Sequence, residues 1–123
     1  MGSFSFPKSE RLNKKKVIQE LFDKGSSFYL YPFRVYFQRC SDVVEPSHQV
    51  MFSVSKRNFK KATDRNLIKR RMREAYRLNK AALSGTSKLQ MAYIYTAKEI
   101  LIFDKIRDKL LLSFKRLIEY EKS

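Results

Sequence analysis

A stretch of 25 residues, 56–80, constrains this chain more than any other part of its sequence. It contains 11 Lys and Arg but only two acidic residues, Asp64 and Glu74, so it carries +9 of the chain's net charge of +15. From Thr63 to Asn79 it has no Gly or Pro and consists mostly of good helix formers. We therefore predict a strongly basic helix over residues 63–79.

A spacing of about 100° per residue separates this helix into two faces. The apolar face consists of Leu67, Ile68, Met72, Ala75 and Leu78. The basic face consists of Arg65, Asn66, Lys69, Arg70, Arg73, Arg77 and Lys80. Tyr76 falls just inside the basic arc, whereas Arg71 projects into the apolar arc and is expected to snorkel or to pair with Glu74. Guanidinium forks match phosphate geometry, so the basic face predicts an anion-binding surface.

The composition indicates a folded domain with a polyanionic partner. Its 10 Phe and 7 Tyr argue against a disordered basic tail, and a net charge of +15 leaves RNA, DNA and an anionic membrane surface open. The single Cys40 excludes an intramolecular disulfide and is expected to be structural, and His48 is expected at the surface or at a strand start. Without a signal peptide or an apolar run of ~20 residues, we expect a soluble cytoplasmic protein.

The N-terminal half predicts a helix followed by an aromatic strand. Residues 14–24 form the helix, with Asn13 as its N-cap, Gly25 as its stop and an apolar stripe that includes Ile18 and Phe22. Residues 28–39 form one strand, in which Phe33, Val35 and Phe37 face a core and Arg34, Tyr36 and Gln38 face the other side. The second face suits single-stranded nucleic acid, but Tyr36 covering its neighbours explains it equally well.

The remaining segments complete an α+β fold. Residues 41–47 predict a turn and 49–55 a strand that forms an antiparallel hairpin with the first. Residues 91–97 read as a central or parallel strand buried on both faces, after a connector that contains Gly85, and residues 99–121 form a core-packing helix. We expect one domain over 1–123 with a loose lead-in at 1–12, an α-β-β-α-β-α order and one central sheet packed by helices.

The basic helix also carries a family resemblance. Residues 65–74, RNLIKRRMRE, resemble the signature Arg-Asn-x-x-Lys-Arg-x-x-Arg of the protein subunit of bacterial ribonuclease P, and MFSVSKR at 51–57 resembles the segment before it. The resemblance extends over nearly the whole chain and implies a left-handed crossover around the basic helix. It also implies a protein that assists removal of the 5′ leader from precursor tRNA, while the RNA subunit and Mg²⁺ perform the chemistry.

The resemblance implies two binding surfaces, without a catalytic residue or metal site in the protein. The surface for the catalytic RNA subunit comprises Arg65, Asn66, Lys69, Arg70, Arg73 and Arg77. The cleft for the precursor-tRNA leader comprises Ile18, Phe22, Arg34, Tyr36, Lys56 and Arg57. We expect no membrane partner and no obligate protein partner. The alternatives are a ribosomal-type module for structured RNA and, because no short helix and tight turn precede the basic helix, less favourably a helix-in-groove DNA-binding protein.

Overall fold

In the part of the chain that the structure describes, three α-helices and four strands follow one another in the order α-β-β-β-α-β-α. The computed structural model describes residues 10–39, 48–83 and 88–122; the predictions for residues 1–9, Cys40, the turn at 41–47 and Gly85 lie outside them. The elements are α1 (Lys15–Lys24), β1 (Ser26–Leu30), β2 (Phe33–Arg39), β3 (Gln49–Val54), α2 (Ala62–Asn79), a 3₁₀ turn (Lys80–Leu83), β4 (Leu89–Tyr95) and α3 (Phe103–Lys122).

The sheet has the strand order β1-β2-β4-β3. β4 pairs with β2 in antiparallel and with β3 in parallel orientation, which confirms the prediction of a central, partly parallel strand. The predicted hairpin between β2 and β3 is wrong, because β4 lies between them. Strand β4 is buried on both faces, and its pairing with β2 and β3 also shields the backbone groups at both of its edges from water. The handedness of the β3-α2-β4 crossover stays a prediction.

The predicted strand 28–39 is in fact two strands. The chain turns at Tyr31 and Pro32, whose connecting peptide bond is cis, and Leu30 pairs with Phe33. Proline has no N–H to donate to a strand ladder, so the run of β-prone residues is interrupted there. The predicted element order is otherwise confirmed, with β1 as the additional strand.

The sheet separates α1 from the other two helices. The face that carries Phe33, Val35 and Phe37 packs against α2 and α3 in the main core, whereas α1 packs on the opposite face against β2 and β4. At the centre of the main core, the buried hydroxyl groups of Tyr93 and Ser113 lie 2.6 Å apart in a hydrogen bond. Burial raises the pKa of Tyr93.

Helix α1 begins without the predicted cap but ends where predicted. Its N-cap residue is Lys14 rather than Asn13, and it makes no side-chain capping bond. At the other end, the Gly25 N–H donates to the Leu21 carbonyl at 2.9 Å. A Cβ atom on Gly25 would lie 2.4 Å from that carbonyl oxygen and 3.1 Å from the Phe37 oxygen. Glycine therefore allows α1 to approach β2 closely.

Helix α3 begins four residues later than predicted, because side chains bind the backbone before it. The Leu101 N–H donates to the Tyr95 hydroxyl at 3.1 Å, and that hydroxyl donates to the Glu99 carbonyl at 2.7 Å. Arg71 donates to the Leu101 carbonyl at 2.7 Å. These bonds hold residues 99–102 in an irregular path, so Ile100 remains partly exposed while Leu101 is buried.

His48 lies directly before β3, at the strand start that was one of its two expected positions, and it is buried. Its Nδ1 accepts a hydrogen bond from the Leu89 N–H at 3.0 Å, and its Nε2 lies 3.3 Å from the Leu83 carbonyl oxygen. The imidazole thus connects the start of β3 to Leu83, where the 3₁₀ turn ends, and to Leu89, where β4 begins.

Candidate nucleic-acid interface

Helix α2 presents its apolar residues to the core in a slightly rotated arc. Ile68, Met72, Ala75 and Tyr76 are buried, whereas Leu78 is 41% exposed. The predictions of a buried Leu78 and of Tyr76 in the basic arc are therefore wrong. The reason is that α3 packs beside the C-terminal half of α2, where the ring of Tyr76 meets Phe114 with centroids 6.1 Å apart. Burial, and secondarily the Glu10 carboxylate, raises the pKa of Tyr76.

The solvent side of α2 carries exposed cations. Asn66, Arg70 and Arg73 are exposed and Lys69 is partly buried. Within the described part of the chain, neither Arg70 nor Arg73 makes a hydrogen bond or ion pair. An Arg side chain without an intramolecular acceptor retains all five N–H donors for an external anion.

Other basic side chains at the C-terminal end of α2 are engaged within the protein. Arg77 pairs with Glu74 at 2.5 Å, and Lys80 forms a mostly buried ion pair with Glu10 at 2.8 Å. The alternative that Arg71 pairs with Glu74 is wrong, because Arg71 instead binds a backbone carbonyl and Glu74 pairs with Arg77. The basic face is therefore less uniform than its sequence suggests.

Arg65, the first residue of the signature, is also partly engaged. Its Nη1 donates to the carbonyl oxygens of Phe59 at 2.7 Å and Lys60 at 2.9 Å. Both acceptors belong to the loop that precedes α2. Arg65 thus lies on the basic face, and one of its nitrogens is used by the protein's own backbone.

The second predicted surface lies on the opposite face of the sheet, beneath α1. The rings of Phe22 and Tyr36 meet edge to face with centroids 4.7 Å apart. Ile18 and Tyr36 pack around a small cluster whose buried members include Leu21 and Ala92. Three of the six predicted cleft residues are therefore brought together, and Phe22 remains 37% exposed.

The same sheet face continues beyond α1 toward one end of the strands. Arg34 is exposed there, and the strand register places it between Tyr29 on β1 and Ile94 on β4. The Arg34 guanidinium lies 5.7 Å from the centre of the Tyr29 ring, which is 49% exposed. Sequence reasoning missed Tyr29, although a turn at Pro32 would have placed it opposite Arg34.

Lys56 and Arg57 lie in the loop after β3 and are exposed. The last residue of β3, Val54, pairs with Tyr95, which in turn pairs with Phe33 next to Arg34. Lys56 and Arg57 therefore extend from the same end of the sheet as Arg34. They are not part of the aromatic contact beneath α1.

A cavity of about 360 Å³ lies at the outer edge of β3, between the two surfaces. It is lined by Arg11, Leu12, Val50, Met51, Phe52 and Arg73. The Leu12 N–H donates to the Val50 carbonyl at 3.0 Å and holds the N-terminal segment on this edge. Met51 also packs in the α1 cluster, so the cavity borders that cluster on one side and Arg73 of α2 on the other.

Two other kinds of site are absent from the described residues. Across 10–39, 48–83 and 88–122, no three His, Cys, Asp or Glu side chains are grouped so that they could hold a metal ion. In the same ranges, no helix is long and apolar enough to cross a membrane.

Comparisons with known proteins agree with one another. The family model described as Ribonuclease P matches residues 6–118. The ribonuclease P protein component of Porphyromonas gingivalis is 37% identical over 87% of this chain and 77% of its own length. That of Desulforapulum autotrophicum is 34% identical over 96% of this chain and 97% of its own. The solved RNase P protein from Thermotoga maritima is 28% identical, with a TM-score of 0.73 over 87% of this chain and 96% of that chain.

Proposed function

Because this chain belongs to the family of ribonuclease P protein components, the protein part of a ribonucleoprotein endoribonuclease, we propose that it binds the catalytic RNA subunit through α2 and the precursor-tRNA leader through the α1 cleft. In this role it assists endonucleolytic removal of the leader and so produces the mature 5′ end of tRNA. It acts in the cytoplasm, as one domain and without an obligate protein partner.

The observation that carries the proposal is the one-sided charge of α2. Arg70 and Arg73 stand on the solvent side without an acceptor among the described residues, while the opposite side of the helix is buried. Such a row of guanidinium groups is suited to phosphates of a folded RNA, which release counterions when they are neutralised. Asn66 and Lys69 extend the row. Arg65 and Arg77 contribute those N–H groups that are not used in intramolecular bonds.

The cleft has the properties that single-stranded RNA requires. Its floor is formed by the Phe22 and Tyr36 rings, on which unstacked bases can stack, and Ile18 supplies an apolar wall. Arg34 lies farther along the same face, and Lys56 and Arg57 extend from the sheet end beside it, where phosphates of the leader would pass. Tyr29 would add a ring at this position.

The protein's own side chains bind and orient RNA in this proposal, and none is assigned a catalytic role. Mg²⁺ supplies the charge stabilisation for phosphodiester hydrolysis and is assigned to the RNA subunit. No side chain among the described residues is assigned to hold Mg²⁺ in this proposal.

Cleavage of precursor tRNA by a bacterial ribonuclease P RNA at low Mg²⁺, with and without this protein, tests the proposal. We expect accurate 5′ cleavage that depends on the protein, and tighter binding of precursor than of mature tRNA. Tight binding to other structured RNAs without stimulation of a cognate RNA subunit would favour a ribosomal-type module instead. A preference for duplex DNA would indicate a DNA-binding protein.

A further inference from the structure

The loop between β3 and α2 is short, basic and anchored at its centre. Phe59 is buried, with its ring 6.0 Å from that of Tyr95. Its N–H donates to the Ser55 carbonyl at 3.1 Å, and the Arg57 N–H donates to the Ser55 hydroxyl at 3.0 Å. The loop carries four exposed cations, which are Lys56, Arg57, Lys60 and Lys61.

Arg65 closes this loop from the first turn of α2. The two carbonyl oxygens that it binds, those of Phe59 and Lys60, are adjacent along the chain, and a single nitrogen reaches both. The N-cap residue of α2, Lys61, makes no side-chain capping bond. A cation near a helix N-terminus opposes the helix dipole, so the carbonyl groups are what makes this position favourable for Arg65.

We propose that Arg65 is a positioning residue, whose bonds to the Phe59 and Lys60 carbonyls hold the loop cations Lys60 and Lys61 in line with the basic face of α2, so that this end of the loop and the helix engage the RNA subunit as one surface. This inference rests on the proposed function. It assigns Arg65 an action through the loop, in addition to any phosphate that its remaining N–H groups contact. Lysine would keep the charge, but its side chain is one atom shorter than the path to Nη1, so Arg65→Lys should weaken both bonds without changing the net charge.

The first test uses the protein alone. In Arg65→Lys, we expect faster hydrogen exchange of the Phe59 amide, which reports on the closed loop through its bond to Ser55. Arg70→Lys is the matched control. Because Arg70 has no acceptor among the described residues, this substitution should not change the exchange of the Phe59 amide. Unchanged exchange of the Phe59 amide in both Arg65→Lys and Arg65→Ala would overturn the proposal.

The second test measures RNA-subunit affinity as a function of salt. Loss of one phosphate contact flattens the slope of log K against log salt by about 1, so Arg70→Ala should do this and Arg70→Lys should restore it. Arg65→Lys should flatten the slope by about 2, because Lys60 and Lys61 disengage together. A wild-type slope in Arg65→Lys would overturn the inference, even if the loop exchanged faster.

The two measurements also separate this inference from the proposed function. A wild-type protein that did not bind the RNA subunit would overturn the proposed function, whereas the exchange of the Phe59 amide would still decide whether Arg65 holds the loop. Circular dichroism of each variant should match the wild-type protein, which would exclude unfolding as the cause of an altered slope.

Discussion

The two proposed binding surfaces differ in how they are connected to the core. On α2, the exposed residues Arg70 and Arg73 stand opposite the buried side, so binding and stability depend on different residues. Beneath α1, Tyr36 packs in a small hydrophobic cluster and its ring contacts that of Phe22. In the proposed cleft the same rings would contribute to leader binding and to stability. Substitutions should therefore separate the two properties on α2 but not in the cleft.

The largest expected effect comes from salt rather than from a substitution. If ~6 phosphates are neutralised, affinity for the RNA subunit should fall roughly 10³-fold over a fourfold rise in salt, because each neutralised phosphate releases counterions. Leader affinity should depend less steeply on salt, since stacking on Tyr36 and Phe22 is not electrostatic. Filter binding at several salt concentrations measures both slopes. Equal salt slopes for the RNA subunit and the leader would mean that the two surfaces do not differ in their dependence on charge.

Replacement of the Tyr36 ring should have the next largest effect. In Tyr36→Ala, loss of a stacked base costs about 1–3 kcal/mol, which reduces the preference for precursor over mature tRNA by about 5- to 150-fold. Thermal stability should fall as well, because the edge-to-face contact with Phe22 at 4.7 Å is lost. Tyr36→Phe keeps the ring and should retain most of both properties. A lower melting temperature with unchanged substrate preference would identify Tyr36 as a packing residue only.

Removal of one exposed guanidinium on α2 should have a smaller and purely electrostatic effect. Arg70→Ala should weaken RNA-subunit binding and flatten the salt slope by about 1, while its melting temperature stays close to the wild-type value. Leader preference, measured as the ratio of precursor to mature tRNA affinity, should not change. If Arg70→Ala and Arg65→Ala both bound the RNA subunit as the wild-type protein does, α2 would not belong to this interface.

Structural features that depend on the local sequence pattern were predicted correctly. The bounds of α2 are within one residue of the predicted helix, because propensity and the absence of Gly and Pro act locally. The central place of β4 followed from its apolar residues on both faces. The pairing of β2 with β4 could not be predicted in this way, because strand partners are chosen among distant segments.

The candidate surfaces show the same limit at the level of side chains. The sequence identified the basic face of α2, but the acceptors of Arg65 and Arg71 are backbone carbonyls, whose positions depend on the tertiary fold. Tyr29 was missed for a different reason, since the turn at Pro32 was read as part of one strand. Charge can thus be read from residue types, whereas its availability for a ligand depends on the folded backbone.

The smallest expected effect concerns the difference between two arginines of α2, Arg77 and Arg70. Arg77 differs from Arg70 because it pairs with Glu74, and both side chains of this pair are more than a third exposed. Glu74→Gln should cost at most about 0.5 kcal/mol of stability, as exposed pairs within a helix usually do, and it removes a carboxylate that competes with RNA phosphate for Arg77. We therefore expect slightly tighter RNA-subunit binding and a slope steeper by up to about 1.

The matched control is Asp104→Asn, which removes the same charge from an i,i+3 pair with Arg107 on α3. It raises the net charge equally, so it should reproduce any general electrostatic gain but not the steeper slope. Equal gains in both variants would mean that Glu74 acts only through net charge. A gain confined to Glu74→Gln would mean that the protein limits its own RNA affinity through the Arg77 pair, and that RNA contact on α2 extends into its last turn.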